Sequence, residues 1–367
     1  MPPCHLPAQT AARFRVVFGP APIPYAMAIG AGFSRESLRS ALRRGLLVRP
    51  RHGYLAVPGP PEHDDVRTPT IDRAETARTT HLASLRTEIV AMRDGALAAL
   101  DSAALVHRLP RPSAEMPSRV QVTRPGASHD SGSLAVLRGS GVPEHQRTVV
   151  DGIPTTDLLR TAVDLARGQR LPAALIPLDA AGRRIVERET GARGNALRHA
   201  ARSPGLRQHA ADELRSALAE CFGWPGTVAV RTALECMDPA SESPLESRSR
   251  GWFLESRLPV LQIGYPIASG DRTYWADFCD PQRRVIGEAD GWSKYAGDTR
   301  ARRDAWDAER ERQGRLEADG WRFVRWTSSD PRRTVLSRMT RALGLMSPIN
   351  WWLLTPGSHQ LIGDARG

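Results

Sequence analysis

Two acids in the last third of the chain stand where chemistry on a phosphodiester would need them. Asp277 ends an alternating stretch, and Glu288 ends the next stretch 11 residues later, with a short Asp280-Pro281-Gln282 turn between them. In a hairpin these two carboxylates sit side by side near one end of a sheet. Glu246, on a preceding helix, reaches the same pocket, and Asp290 shares the strand face of Glu288 if the strand continues. Phosphodiester hydrolysis near neutral pH is slow because the backbone is anionic and the leaving group poor. A divalent cation activates water and neutralises developing charge. Hard cations such as Mg²⁺ or Mn²⁺ take carboxylate, water and phosphate oxygens. Glu246, Asp277, Glu288 and Lys294 are therefore the candidate metal-and-phosphate site. The competing reading of the acids is a set of surface ion pairs with the many arginines.

Lys294 stands out by composition. Lysine and arginine total 51, and Lys294 is the single lysine. It follows the acidic run Glu288-Ala289-Asp290-Gly291. Lysine is a compact charge on a flexible stem, so a lysine-specific role would explain why arginine was not used there.

The elements that must hold these groups are legible in outline. The pattern predicts a helix over 244–257, with Pro244 in its first turn, then strands over 260–268, 273–280 and 283–290. A helix over 300–318 and a strand over 321–327 follow. This αβββαβ order gives an α/β layer with a mixed sheet. One more helix runs to about Leu345, and a Trp351-Trp352 pair lies in the tail.

The N-terminal charge points to a polyanion. Residues 1–60 hold eight arginines and one acid, Glu36, within a chain of net charge +11. A concentrated positive field attracts nucleic acid; a codon bias towards arginine is the bland alternative. Ser34 is a good N-cap and Gly45 a good helix stop. Leu38, Leu42 and Leu46 form a core-facing stripe, and Arg35, Arg39 and Arg43 share another face. Residues 47–57 read as two short strands around a basic turn carrying Arg49 and Arg51. A helix with an arginine face followed by a basic hairpin suits a groove-reading helix with a phosphate-touching wing.

The expected organisation is a multidomain α+β protein. It comprises a winged-helix DNA-binding domain over 1–57, a linker over 58–80 and a mixed α/β middle region over 81–235. A restriction-endonuclease-like αβββαβ domain follows over 241–345, then a tail over 346–367. The middle region shows helical spacing over 84–107, strands at 119–123 and 134–138, a hairpin around 148–154, and two or three helices to about 220. His107 reads as structural there. The four cysteines, Cys4, Cys221, Cys236 and Cys279, form no CxxC pair, so a structural zinc site is not expected. No apolar run reaches membrane-spanning length and no signal peptide is visible, so the expectation is a cytoplasmic protein without a membrane partner.

Two resemblances sharpen this reading. Asp277-Phe278, Glu288-Ala289-Asp290-Gly291 with Lys294-Tyr295, and Gly320-Trp321-Arg322-Phe323-Val324-Arg325-Trp326-Thr327 together resemble the domain-of-unknown-function 559 and Vsr-related group of the PD-(D/E)XK nuclease superfamily, over roughly 244–330. The resemblance implies Asp277 and Glu288 as metal ligands and Glu246 as the helix acid. The superfamily's lysine, two residues after the acid, is Asp290 here; Lys294 replaces it from another backbone position, or the domain binds without cutting. Arg325 is a candidate phosphate contact. Ala31-Gly32-Phe33-Ser34, the helix through Arg44-Gly45, and Leu47 to Tyr54 resemble the winged-helix start of AbiEi-type antitoxins of actinobacteria. In that group this unit binds promoter DNA, which implies DNA and a toxin or regulatory protein as partners. Two functions follow as expectations: a metal-dependent DNA endonuclease, or a non-catalytic antitoxin-type regulator with a degenerate nuclease fold.

Overall fold

The computed structural model describes residues 7–18, 22–49, 52–57, 69–92, 95–125, 129–131, 134–139, 141–270, 272–290 and 310–345. Lys294, Arg51 and the Trp351-Trp352 pair lie outside the described residues. The protein is a mixed α+β chain, with sheets of two, four and six strands among the described residues.

The N-terminal unit holds α1 (Pro7–Phe18), β1 (Ile23–Pro24), α2 (Tyr25–Gly30), α3 (Arg35–Arg43) and β2 (Tyr54–Leu55). The Ser34 hydroxyl accepts the Ser37 N–H at 3.1 Å and so caps α3. Gly45, at φ +68°, turns the chain out of the helix, and the N–H of Leu46 closes onto the carbonyl of Ala41 at 3.0 Å. Leu38 is fully buried, with Leu42 and Leu46 packed beside it. β2 pairs antiparallel with β1, and Val48 bridges to Ala56. Helix α1 was not read from the sequence. Its Phe14 is buried against Phe33, ring centroids 5.6 Å apart, so α1 closes the core of this unit.

The linker expected over 58–80 requires correction. Helix α4 (Pro69–Met92) takes in 69–80. Few apolar residues occur there, but Pro69 suits a helix start, and Glu75 and Arg78 pair at i, i+3 with 2.9 Å between charges. Arg78 also donates to the Leu105 carbonyl at 2.9 Å, tying α4 to α5 (Leu100–His107). The strands expected next are present as β4 (Val120–Pro125), β6 (Leu134–Gly139) and the hairpin β7 (Arg147–Val150) to β8 (Ile153–Thr156). With β3 (Leu97–Ala98) and β5 (His129–Ser131) they form the mixed six-stranded sheet, in the order β5-β6-β4-β3-β8-β7. His107 donates a 2.7 Å hydrogen bond from Nε2 to the Thr156 carbonyl and serves the fold.

Helices α6 (Leu158–Ala166), α7 (Leu171–Thr190), α8 (Gly194–Ala201), α9 (Pro204–Ala219) and α10 (Thr227–Cys236) follow. α7 contacts each of the other four, and also α11 (Pro244–Glu255). The core therefore runs straight across residues 235–241. Gly251 of α11 meets Pro172 of α7 so closely that an added Cβ would lie 2.4 Å from the proline Cα. Beside it the Arg250 guanidinium places one nitrogen 2.6 Å from each oxygen of Asp179, which is fully buried.

The four-stranded sheet orders as β12-β11-β10-β9, with β9 (Gln262–Ser269), β10 (Arg272–Asp280), β11 (Val285–Asp290) and β12 (Arg322–Thr327). β9, β10 and β11 are antiparallel neighbours, and β12 runs parallel to β11 on the open edge. A helix over 310–318, α12, covers one face through Leu316. α13 (Arg332–Ala342) and α11 cover the other, around Phe253, Phe278 and Trp326. The predicted αβββαβ order is present, with β10 running on past Asp277 to Asp280.

Candidate functional site

The site lies where the β10–β11 ladder ends. Pairing runs Asp280↔Val285, Cys279↔Ile286, Phe278↔Gly287 and goes no further. The next step of that register sets Asp277 across from Glu288, on the sheet face of Ile286 and Cys279. Backbone pairing ends there, leaving a fork in the ladder, and the Asp277 carboxylate bonds across to β11. Its Oδ2 accepts the Ala289 N–H at 2.8 Å, a bond that a β10 carbonyl would take in a continuous ladder.

A second irregularity feeds the same spot. The β9–β10 ladder skips the step between Ala276↔Tyr265 and Phe278↔Ile263. Gly264 lies in that gap at φ +53°, a conformation glycine adopts readily. The alternation of β10 breaks there. Tyr274 and Ala276 join Cys279 in the cluster under α12, while Phe278 faces α11 and α13. Tyr274 thus reaches Glu288, and its hydroxyl donates a short hydrogen bond to Glu288 Oε1. Burial, then the Glu288 charge, hold the phenol far above its ordinary titration range. The Arg312 guanidinium lies over the Tyr274 ring at 4.7 Å.

Glu246 occupies the first turn of α11 and is a capping residue as well as a neighbour of the site. Its N–H donates to the Ser243 hydroxyl at 3.2 Å. Its Oε1 accepts that hydroxyl at 2.7 Å, and its Oε2 accepts the Glu242 N–H at 2.8 Å. This Ser-x-x-Glu arrangement is a variant of the capping box, with the return bond made to the N–H of Glu242, one residue before the N-cap Ser243. Burial, reinforced by the Asp277 charge, pushes the Glu246 carboxyl up to about 8. Arg198 of α8 grips Glu242 through two bonds of 2.8 and 2.7 Å. Its own pKa is raised chiefly by that hydrogen bond, with smaller contributions from Asp277 and Glu246. Glu246, Asp277, Arg198 and Glu242 therefore share one electrostatic neighbourhood, with Glu288 on the next strand.

Asp290 does not stand open beside them. It is buried, and Arg325 Nη1 of β12 approaches its Oδ2 at 3.5 Å. Arg325 lies opposite Glu288 in the β11–β12 register. Among the described residues, a group of three ligand atoms within 4.8 Å of one another occurs at Glu189, His209 and Glu213, far along the chain from the expected acids. There Arg188 Nη2 is already seated, 2.8 Å from Glu189 and 2.5 Å from Glu213. The trio Glu246, Asp277 and Glu288 is not drawn together that tightly.

The basic N-terminal residues are placed as a surface. Arg35, Arg39, Arg43 and Arg49 are all exposed. Sequence reading missed Tyr274 and Arg198. Tyr274 reaches the site only through the break at Gly264. Arg198 comes from a helix whose relation to the sheet has no local signature. The cap by Glu246 was missed as well, although the Ser243-Pro244-Leu245-Glu246 spacing carries its signal.

Among the described residues, no helix is long and apolar enough to cross a membrane. No family model matches the chain. Two proteins of Mycobacterium tuberculosis are similar to it: the uncharacterized proteins MT2308 of strain CDC 1551 / Oshkosh and Rv2248 of strain ATCC 25618 / H37Rv. Each is 32% identical over 199 residues, covering 53% of this chain and 64% of the relative. The chain thus spans a little under two thirds of the length of these relatives. The crystal structure of the RV2827C protein from Mycobacterium tuberculosis aligns with 71% of this chain and 88% of its own, at 17% identity and a TM-score of 0.31.

Proposed function

We propose that this chain is a DNA-binding protein whose C-terminal domain is a metal-dependent endonuclease of the PD-(D/E)XK type, with a winged helix at its N-terminus. The observation that carries the reading is the fork in the β10–β11 ladder, where Asp277 and Glu288 fall one register step beyond the last backbone pair and Asp277 bonds across to Ala289. The donor set there fits a hard divalent cation: carboxylates from adjacent strands, each fixed by a hydrogen bond, in a neighbourhood negative enough to raise Glu246. Asp277 and Glu288 would hold Mg²⁺ or Mn²⁺. When bound, the cation supplies positive charge for the phosphate oxygens and a nucleophile at neutral pH.

The chain's own residues do the positioning. The Ala289 N–H fixes the Asp277 carboxylate, and the Tyr274 hydroxyl fixes that of Glu288. Glu246 carries a proton near neutral pH and so limits the negative charge beside Asp277. Arg325, opposite Glu288, supplies the cation that Asp290 cannot, and phosphate competes with Asp290 for it. Lys294 remains a candidate for the same work. The exposed face of Arg35, Arg39 and Arg43, with Arg49 and Arg51 in the wing, provides duplex affinity through phosphate contacts. The test is nicking of supercoiled plasmid with Mg²⁺ or Mn²⁺. Wild type cuts and Asp277→Ala and Glu288→Ala do not; equal cutting by all three, or none by wild type, refutes the nuclease.

A second reading has its own support. Both Glu246 oxygens serve the cap of α11, and Asp290 takes the superfamily's lysine position. These features suit a non-catalytic antitoxin-type regulator that binds its own promoter. It predicts salt-sensitive, sequence-selective duplex binding with no nicking in either metal.

A further inference from the structure

We propose that the open edge of the four-stranded sheet is a binding groove for single-stranded nucleic acid, separate from the N-terminal duplex contact. A groove of about 730 Å³ runs along β12 and α13, lined by Trp321, Arg322, Phe323, Arg325, Arg338 and Arg341. Among the described lining residues, Glu317 is the one acid. Arg322, Arg338 and Arg341 are exposed, while Trp321 and Phe323 are half-buried, packed against the cluster under α12 and lining the groove. Arg338 pairs with Asp330 at 3.0 Å and Arg325 with Asp290 at 3.5 Å. The exposed Arg338 pair is weak, and a phosphate exchanges readily for its carboxylate, while Arg325 is held by buried Asp290 at the longer distance.

The chemistry of the lining selects the occupant. Arginines alone would accept any polyanion. Arginines interleaved with two aromatic rings suit a chain that alternates phosphate with flat, unstacked bases. In a duplex the bases are already stacked on one another and do not present their faces. The location adds a third argument. β12 is an edge strand, so the groove follows one extended chain rather than a broad cylinder. Arg325, in the groove, is opposite Glu288, one strand spacing of about 4.8 Å inwards. A phosphate held at Arg325 therefore lies at the rim of the acid fork. The inference deepens the nuclease reading by naming the form of its substrate, and rests on that reading for chemistry though not for binding.

The full-length protein is titrated into a fluorescein-labelled oligothymidylate of about 20 nucleotides, and anisotropy is followed across a salt series. Arg322→Ala/Arg341→Ala is expected to weaken binding about tenfold and to reduce the salt slope by about 1.4. Its duplex affinity stays at the wild-type level. Arg39→Ala/Arg43→Ala gives the reverse pattern. An abasic oligomer of the same length binds about tenfold more weakly than oligothymidylate, which a mere polyanion patch would not show. Arg322 and Arg341 are exposed, so the double variant is expected to melt as wild type. Unchanged oligothymidylate binding in that variant overturns the proposal, as do equal affinities for the thymidylate and abasic oligomers. Oligothymidylate binding lost instead in Arg39→Ala/Arg43→Ala also overturns it. Plasmid nicking that persists with any of these results leaves the acid fork standing and removes only the groove.

Discussion

The Asp277 carboxylate accepts the Ala289 backbone N–H at 2.8 Å and thereby takes the place of a carbonyl in the β10–β11 ladder. A side chain fixed by main chain in this way has little freedom to swing out to solvent and pair with a surface arginine. Asp277→Ala leaves that N–H without its partner at a strand end, where water can substitute, so the cost in stability is modest, about 1 kcal/mol. Loss of activity in Asp277→Ala far beyond this change, with the melting temperature nearly kept, is the expected outcome. Calorimetry beside a plasmid assay checks it.

Tyr274→Phe removes the hydrogen bond to buried Glu288 while keeping the ring under Arg312. A bond to a charged acceptor contributes about 1.5–3 kcal/mol. Urea denaturation should show a loss in that range with an unchanged m-value. A neutral result would mean that Glu288 finds water in place of the phenol.

Glu246 gives a pH signature. Its ordinary pKa is 4.5 and burial, with Asp277 second, raises it to about 8 in the fold. Between those values the native protein holds a proton that the unfolded chain has released, so stability falls as pH rises through this window. Glu246→Gln should flatten that part of the curve and cost little at its acid end, since the amide keeps the Glu242 N–H bond. Urea midpoints at pH about 5 and about 9 for the two proteins check the sign.

The seam between α7 and α11 should be the most sensitive part of the fold. Arg250→Ala leaves Asp179 buried without its cation and is expected to cost about 3–5 kcal/mol. Gly251→Ala places a methyl 2.4 Å from the Pro172 Cα, which belongs to backbone. Gly287→Ala meets side chains rather than backbone: the Met339 methyl at 2.8 Å, Trp326 Cη2 at 3.0 Å and Phe278 Cβ at 3.1 Å. Gly287→Ala should therefore cost about 1–3 kcal/mol and Gly251→Ala more. Chemical denaturation ranks them; the opposite order would show that α11 slides easily along α7.

On the N-terminal surface, Arg39→Ala and Arg43→Ala should each lower the salt slope of duplex binding by about 0.9. Filter binding over a salt series measures this. Unchanged slopes would place the duplex elsewhere.

Local rules exposed the parts of the fold that local rules govern. Ser34 and Gly45 marked the ends of α3, and the strands on both sides of Asp280-Pro281-Gln282 pair as an antiparallel hairpin up to Phe278 and Gly287. What stayed hidden depended on longer-range causes. A single glycine at φ +53° on β9 turns Tyr274 to the face of Glu288, against the alternation that the sequence displays. Arg198 arrives from α8, 79 positions before Asp277, and only tertiary packing brings it near. The polar stretch after Pro69 read as a linker because its helix is supported by ion pairs and by contact with α5 rather than by an apolar stripe. Glu246 was read as an acid near the strands; that it also caps α11 was not read, although Ser243 three residues before it carries that signal.

The central claim is that Asp277 and Glu288 together hold a divalent cation. Titration of the full-length protein with Mn²⁺, followed by loss of the free-ion paramagnetic resonance signal, tests this without any assumption about DNA. The account predicts a site that disappears in Asp277→Ala and in Glu288→Ala and survives His209→Ala. Binding that is indifferent to both carboxylates, or that vanishes only with His209→Ala, would contradict it.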